Sequence, residues 1–451
     1  MKKILCALLV LLSVPVILPE GTGGWNAPAK AAGPVVTQIA GGHFHSLILF
    51  SDGSLYATGH NWYGQIGDGT RKYRKTPRKI GTGFTAISAN NYVSFALKGN
   101  ALYAWGRNDN GQLGDGTLIH RNTPTLIGTG FTAVSTGSAH TLALKGDALF
   151  AWGKNSAGQL GDGTYINKNT PTLIGTGYTA ISVGSRHSLA LKGNDLYAWG
   201  YNNNGELGDG TNNNRNAPEY IGTGYTAIAA GIWHSLALKG NALYTWGANN
   251  GGLLGDGTSI NRNTPTEIGT GYTAIAGGFL HSLALKGNVL YAWGGNSYGE
   301  LGDGTNINRN TPLKIGTGYT AIAAGSWFSL GIKGNALYAW GNNYYGQLGD
   351  DTHINRYVPT RITTFKEIKA SSVILDKSSI KIVAGESVKL EATVLPVNTY
   401  NKEVTWSSSN KAIAAVSSTG TVTGIKKGTA TITAKTMNGK IAKCVVKVLS
   451  K

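Results

Sequence analysis

Thr273-Ala-Ile-Ala-Gly-Gly278, Ser282-Leu-Ala-Leu-Lys286, Leu290-Tyr-Ala-Trp-Gly294, Glu300-Leu-Gly-Asp-Gly-Thr305 and Thr311-Pro-Leu-Lys-Ile-Gly-Thr317 follow one another inside a single 47-residue unit, and that unit recurs seven times. The Trp-Gly step marks it at Trp105, Trp152, Trp199, Trp246, Trp293 and Trp340, with Thr58-Gly59 one period earlier. The first three segments are strand-sized, alternating or β-branched and aromatic, and are separated by turn residues such as Lys286-Gly287-Asn288. The last supplies a fourth strand, with Pro312 at its start, where a missing N–H is tolerated. Nothing has helical periodicity. Four short strands per unit and seven units specify an all-β fold, a seven-bladed β-propeller over residues 35–363.

The segments Gly137-Ser-Ala-His-Thr-Leu-Ala-Leu144 and Trp105-Gly-Arg-Asn-Asp-Asn-Gly-Gln-Leu-Gly114 resemble the repeats of the regulator of chromosome condensation family. The match is specific for fold and weak for function. Tyr225-Thr-Ala-Ile-Ala-Ala-Gly-Ile-Trp-His-Ser-Leu-Ala-Leu238 is also similar to units of secreted propeller-type β-lactamase inhibitory proteins. That likeness implies a target held on an aromatic propeller face; the Gly-Asp-Gly-Thr loops and the appended domain depart from it, so the target does not carry over.

Composition changes after the propeller. Residues 364–370 read either as a strand closing the ring or as a linker. Ser371–Lys377, Ala384–Leu390, Val404–Ser409 and Gly424–Ile432 are short alternating strands in an 81-residue tail, residues 371–451, which predicts an immunoglobulin-like β-sandwich. This tail resembles the bacterial immunoglobulin-like group 2 domain, with Trp406 as its core aromatic. The resemblance implies a surface protein.

At the other end, Met1-Lys2-Lys3 and the apolar run Ile4–Leu18 read as a secretory leader over residues 1–31, with small-residue cleavage sites at Ala27-Pro28-Ala29 or Ala29-Lys30-Ala31. A secreted or cell-surface protein with no membrane span is expected. Removal of the leader leaves Cys444 as the one cysteine, so no intrachain disulfide and no Cys-based metal site can form, and its alternation places it in a core. The net charge of +18 is concentrated at the C-terminus, where residues 364–451 hold 14 Lys against five acidic residues. That fits either attraction to anionic wall polymers or a solvated face.

Three patterns invite chemistry and read as structural. His45, His140, His187, His234 and His281 share one repeat position, with Val93 and Phe328 in the other two units. Sevenfold geometry separates them, so each is expected to be satisfied within its own blade. Asp68, Asp115, Asp162, Asp209, Asp256, Asp303 and Asp350 supply one carboxylate per blade, too few oxygens for Ca²⁺ and well suited to a turn. No cofactor, metal or catalytic residue is expected, and the protein reads as a non-enzyme. Arg71–Lys79 holds six cations in nine residues in one blade only. It reads as a solvated or polyanion-attracting loop, without sequence-specific nucleic-acid recognition.

The functional signal lies where near-identical units differ. Between first strand and His position stand His43-Phe44, Asn91-Tyr92, Ser138-Ala139, Ser185-Arg186, Ile232-Trp233, Phe279-Leu280 and Ser326-Trp327. Phe44, Tyr92, Arg186, Trp233, Phe279 and Trp327 are expected to form a broken aromatic ring around the channel mouth, either binding a partner or filling the channel. Trp, Tyr and Arg desolvate large areas with few rotors. A second variable set, including His60, Trp62-Tyr63, Arg107, Tyr201, Tyr298 and Tyr344-Tyr345, follows the Trp-Gly step. The expected function is a secreted, monomeric binding protein for an extracellular protein, with a glycan or anionic wall polymer as the alternative and an exchange-factor-like regulator as the third reading.

Overall fold

The computed structural model describes residues 34–365, 370–395 and 403–450, so the segment read as a leader, residues 1–31, lies outside the described residues. The chain divides into two compact units between Phe365 and Lys366.

The first unit is seven four-stranded antiparallel sheets, each with its strands in chain order. Blade 1 runs from Val36–Gly41 to Arg74–Gly81 and blade 7 from Tyr319–Ala324 to Arg356–Arg361. The first strand of every blade is innermost. Its small residues let seven backbones converge on an axial cavity of about 150 Å³, lined from all seven blades by residues such as Gly42, Ser88, Ser135, Ser182, Gly231 and Gly325. Because successive strands alternate in direction, the loops after strands one and three emerge on one face, here called the top. The Lys-Gly-Asn hairpins lie on the other.

Hydrophobic burial occurs between blades. Trp152 of blade 3 is fully buried and packs with Val93, Phe95 and Leu102 of blade 2. The indole of Trp105 donates to the Gln65 carbonyl of the preceding blade at 2.8 Å, a bond repeated by the other five Trp residues. A blade alone would expose this surface.

Two expectations about the unit are corrected. The fourth strand begins earlier than its proline: Arg309–Thr317 pairs with the third strand through a register shift between Leu313 and Arg309, and Pro312 sits in that irregularity, where no ladder N–H is required. The repeated His makes its side-chain hydrogen bond between blades, through Nε2, and Nδ1 of His45, His140, His234 and His281 has no hydrogen-bond partner among the described residues. His45, His140, His187, His234 and His281 reach Ser94, Ser188, Ser235, Ser282 and Ser329 of the next blade at 2.8–3.0 Å. Each Ser hydroxyl then donates back to a carbonyl of the His blade, as Ser282 does to Leu253 at 2.9 Å. The preceding glycine makes room for the ring, since a Cβ on Gly231 would lie 2.2 Å from His234 Cε1.

The ring closes without strand exchange, as all four strands of blades 1 and 7 come from consecutive chain. Val36 stands where the other blades carry Phe84, Phe131, Tyr178, Tyr225, Tyr272 and Tyr319, and Phe50 stands where they carry a Lys. Phe365 fills the gap, packing edge-on against Phe50 and Tyr56 at 5.1 and 5.7 Å. Of the segment 364–370, read as closing strand or linker, Phe365 performs a closing role by packing; residues 366–369 lie outside the described residues.

The second unit is a small sandwich. Ser379–Val383, Ile441–Leu449, Gly428–Thr436 and Val404–Ser408 form one sheet, with the first two strands parallel, and Ser387–Lys389, Thr421–Gly424 and Ala414–Val416 form another. Ile382, Val422, Ile432, Cys444 and Val446 are its centre. Trp406 differs from expectation: it is half-buried and flanks this centre, because its strand is the edge of the four-stranded sheet.

Candidate functional site

The two variable residues of each inner loop have different jobs. The first members knit the ring. His43 N–H donates to Asn91 O at 2.7 Å, Asn91 Nδ2 to Ser138 O at 3.1 Å, and the Ser138 and Ser185 hydroxyls meet at 2.9 Å. Ser185, Ile232, Phe279 and Ser326 N–H groups then reach Ile232 O, Gly278 O, Ser326 O and Gly42 O at 3.0–3.3 Å. All seven blade boundaries are therefore bridged at the channel mouth. Asn91 adopts φ +40°, a left-handed conformation Asn tolerates better than most residues.

The second members pack away from the axis, on the residues that follow the Trp-Gly step. Phe279 is the exception among the six predicted residues, being a first member. The six do not make one ring; they fall into three groups. Arg186 lies over Tyr201 at 5.4 Å and Trp233 meets the same ring at 6.0 Å. Phe279 packs on Trp327 at 4.5 Å, with Tyr298 at 5.5 Å from Trp327. Phe44 and Tyr92 belong to the third and largest group.

That group spans blades 7, 1 and 2 and is organised by His60. Its imidazole stacks on Tyr73 at 4.8 Å and meets Tyr345 at 4.7 Å and Tyr92 at 5.4 Å. Phe44 adds to Tyr345 at 4.9 Å, and Tyr63 to Tyr92 at 5.2 Å. Gln65 Nε2 lies 2.7 Å from His60 Nδ1, which makes that nitrogen the acceptor and leaves the proton on Nε2. Burial pushes His60 down to about 4, and burial followed by the nearby His60 does the same to His43. The sector is thus neutral aromatic surface at pH 7. Its rim carries Arg107, paired with Asp109 at 2.6 Å and lying over Tyr63 at 5.4 Å.

In six blades a Gln or Glu five residues after the first loop position holds the loop, and blade 5 carries Leu253 there. Gln65, Gln347 and Glu300 accept the N–H of Tyr63, Tyr345 and Tyr298 at 3.1, 3.0 and 2.8 Å. Burial raises Glu300 to about 7. The repeated Asp residues are consumed in the same loops. Asp115 accepts from Thr117 and Asn108 and pairs with Arg121 at 2.6 Å. Burial opposes its ionisation, but Thr117 and Arg121 together hold it below the usual range.

Family profiles for the regulator of chromosome condensation (RCC1) repeat match residues 100–144, 147–191, 194–238, 241–285, 288–332 and 335–375, and a second profile of the same repeat matches 36–65, 178–206 and 319–347. The chain belongs to the RCC1 repeat family. The bacterial Ig-like domain (group 2) matches residues 369–446. Human WBSCR16 superposes with a TM-score of 0.62 at 20% identity, over 71% of this chain and 96% of that one. Yeast RCC1 (Prp20), solved with Kap60, gives 0.62 at 20%, over 78% and 91%. These likenesses concern the fold. Among curated relatives, a kappa-carrageenase of Pseudoalteromonas carrageenovora is 48% identical over 82 residues, 18% of this chain and 21% of the relative. An alpha-L-arabinofuranosidase of Bifidobacterium longum is 46% identical over 74 residues, 16% and 7%. The chain thus spans a small part of these relatives.

Within this RCC1 repeat chain, blade 1 departs from its own family pattern at the site. Asn167, Asn214, Asn261, Asn308 and Asn355 each accept a backbone N–H that closes the outer loop, at 2.7–2.9 Å, and His120 does so at 3.0 Å. Tyr73 occupies that position in blade 1 and places its ring on His60 instead. Tyr73 lies within the basic run Arg71–Lys79, and the broken Asn register is the sequence signal of its role.

Proposed function

We propose that this protein is an extracellular, non-enzymatic binding protein whose top propeller face holds a macromolecular partner, in the first instance a protein, while the Ig-like unit serves as spacer or surface tether. The observation that carries this reading is the His60 sector. Nine aromatic or imidazole rings from three blades are in contact there, around half-buried Phe44, Tyr92 and Tyr345, with Arg107 at the rim. Large rings with few rotors beside one Arg are the composition of binding hot spots. Arg186 with Trp233, and Phe279 with Trp327, would extend the contact around the face.

The extracellular setting is supported by the leader read at the N-terminus, by the group 2 Ig-like match and by relatives named for acting on polysaccharides. Among the described residues no helix is long and apolar enough to cross a membrane. The non-enzymatic reading is supported by the repeated carboxylates being committed to loop closure, and by Glu206 and Glu300 lying in different blades. Affinity capture from growth medium tests the reading: the wild-type chain should retain a protein that Tyr345→Ala and Tyr92→Ala lose, each by about 2 kcal/mol of affinity or more. Equal retention by both variants would refute it.

A further inference from the structure

Blade 1 carries a second departure beside the His60 sector, on the outer rim of the top face. Trp62, Arg71, Lys72 and Tyr73 line an open cleft of about 490 Å³. Trp62 is 63% exposed, and its indole makes no ring contact among the described residues, so packing does not account for it. The corresponding residues of blades 2 to 6 are Asp109, Ser156, Asn203, Asn250 and Ser297, and blade 7 carries Tyr344, which has no cation in its loop that is free of an Asp.

The free cations are specific to this blade. Arg71 and Lys72 replace pairs such as Leu118-Ile119 and Asn306-Ile307. Neighbouring Arg74 is bound to Asp68 and Lys75 to Asp351, whereas Arg71 and Lys72 have no carboxylate partner among the described residues. The loop backbone is fixed, since Asn61 Nδ2 donates to Thr70 O and Lys72 O at 3.1 Å, so the two free cations stand on an ordered support.

We propose that this cleft binds an acidic sugar residue of a polysaccharide, with the sugar's apolar C–H face on Trp62 and its carboxylate, sulfate or phosphate between Arg71 and Lys72. A pyranose has an apolar face and equatorial polar groups, which an exposed indole with flanking cations complements. Single-stranded nucleic acid would ask for a cationic track and successive stacking platforms. The adjoining loops of blades 2 and 7 offer exposed Ile119 and Ile354 with one further ring, Tyr344, and their cations Arg121 and Arg356 are paired with Asp, so no cationic track runs on from Arg71 and Lys72. The inference rests on the top face being the binding face, and is independent of what the His60 sector holds.

Affinity electrophoresis and calorimetry with polygalacturonate, a sulfated galactan and a glycerol-phosphate wall polymer test it, with dextran, oligo-dT and poly-glutamate as comparisons. At least one acidic polysaccharide should bind saturably. Trp62→Ala and the pair Arg71→Gln with Lys72→Gln should each weaken that binding tenfold or more, leave thermal stability unchanged, and leave any protein captured through Tyr345 still bound. Which probe binds identifies the anion. Binding untouched by Trp62→Ala, tighter binding of oligo-dT or poly-glutamate, or no binding of any acidic polysaccharide would each overturn the proposal. Loss of the Tyr345-dependent protein with the glycan retained would refute only the protein-binding reading.

Discussion

His234 Nε2 lies 2.8 Å from the hydroxyl of Ser282, which belongs to the next blade, and Ser282 donates in turn to Leu253 O of the His234 blade at 2.9 Å. Trp293 Nε1 of the Ser blade uses the same carbonyl at 2.8 Å. One buried carbonyl thus fastens two blades, and the pattern is repeated wherever a unit carries His. At the seventh boundary Phe328 replaces His and packs with Ile48, while Ser46 still donates to Gln347 O at 2.7 Å.

These histidines make the propeller acid-sensitive. Burial drives His45, His140, His234 and His281 down to about 3 and His187 to about 4, from 6.5. The unfolded chain binds protons first as pH falls, so stability is full above 6.5 and declines below it, by about 2 kcal/mol per His at pH 5. Denaturant unfolding between pH 7 and 4.5 should show this, and His234→Gln, which keeps a donor for Ser282, should reduce the slope by about one proton. An unchanged slope would contradict the latch.

Glu300 has the opposite sign. Its folded value of about 7 stands above the ordinary 4.5, so folding favours the protonated acid, and stability falls as pH rises from 4.5 through 7. Glu300→Gln should stabilise the protein by roughly 1–3 kcal/mol at pH 8 and by little at pH 4.5. Equal effects at both pH values would show that the buried charge is not the cause.

Phe365 should matter more than its place at the end of the propeller implies. Phe365→Ala removes both edge-on contacts, with Phe50 and Tyr56, and should cost about 2 kcal/mol, read as a lower denaturation midpoint of the propeller with the Ig-like unit unaffected. Limited proteolysis should cut between Phe365 and Ala370 and leave two resistant fragments; cuts scattered through the blades would contradict two independent units.

The 47-residue period and the alternation within Ser282–Lys286 and Leu290–Gly294 carried the blade count and strand order into plain view, because every unit repeats the same burial. What the repeat cannot show is the contact between copies. Nothing local to Gly-x-x-His-Ser indicates that the imidazole reaches the Ser 48 residues onward, and His–Ser adjacency points to the wrong partner. The site was half legible for the same reason. Variation among units exposed Phe44, Tyr92, Trp233 and Trp327, but neighbours such as His60 and Tyr345, 285 residues apart, meet only because the ring closes. Pro312 misled by its usual place at strand starts, since a bulge accommodates it equally well.

The ring chemistry of the outer groups should be separable from folding. Trp233 and Trp327 are half-buried and contact Tyr201, Phe279 and Tyr298, not the inter-blade core. Trp233→Ala and Trp327→Ala should change the denaturation midpoint by less than about 1 kcal/mol while weakening a captured partner. Global unfolding in both would mark them as structural filler.

The most direct test of the binding face is site-specific photocrosslinking with a benzophenone side chain placed at Tyr344, exposed on the top face, and at Asn194, in a hairpin of the opposite face. Irradiation in the presence of the captured partner should give a covalent adduct from position 344 and none from position 194. Adducts of equal yield from both positions, or from 194 alone, would contradict the assignment of binding to the top face.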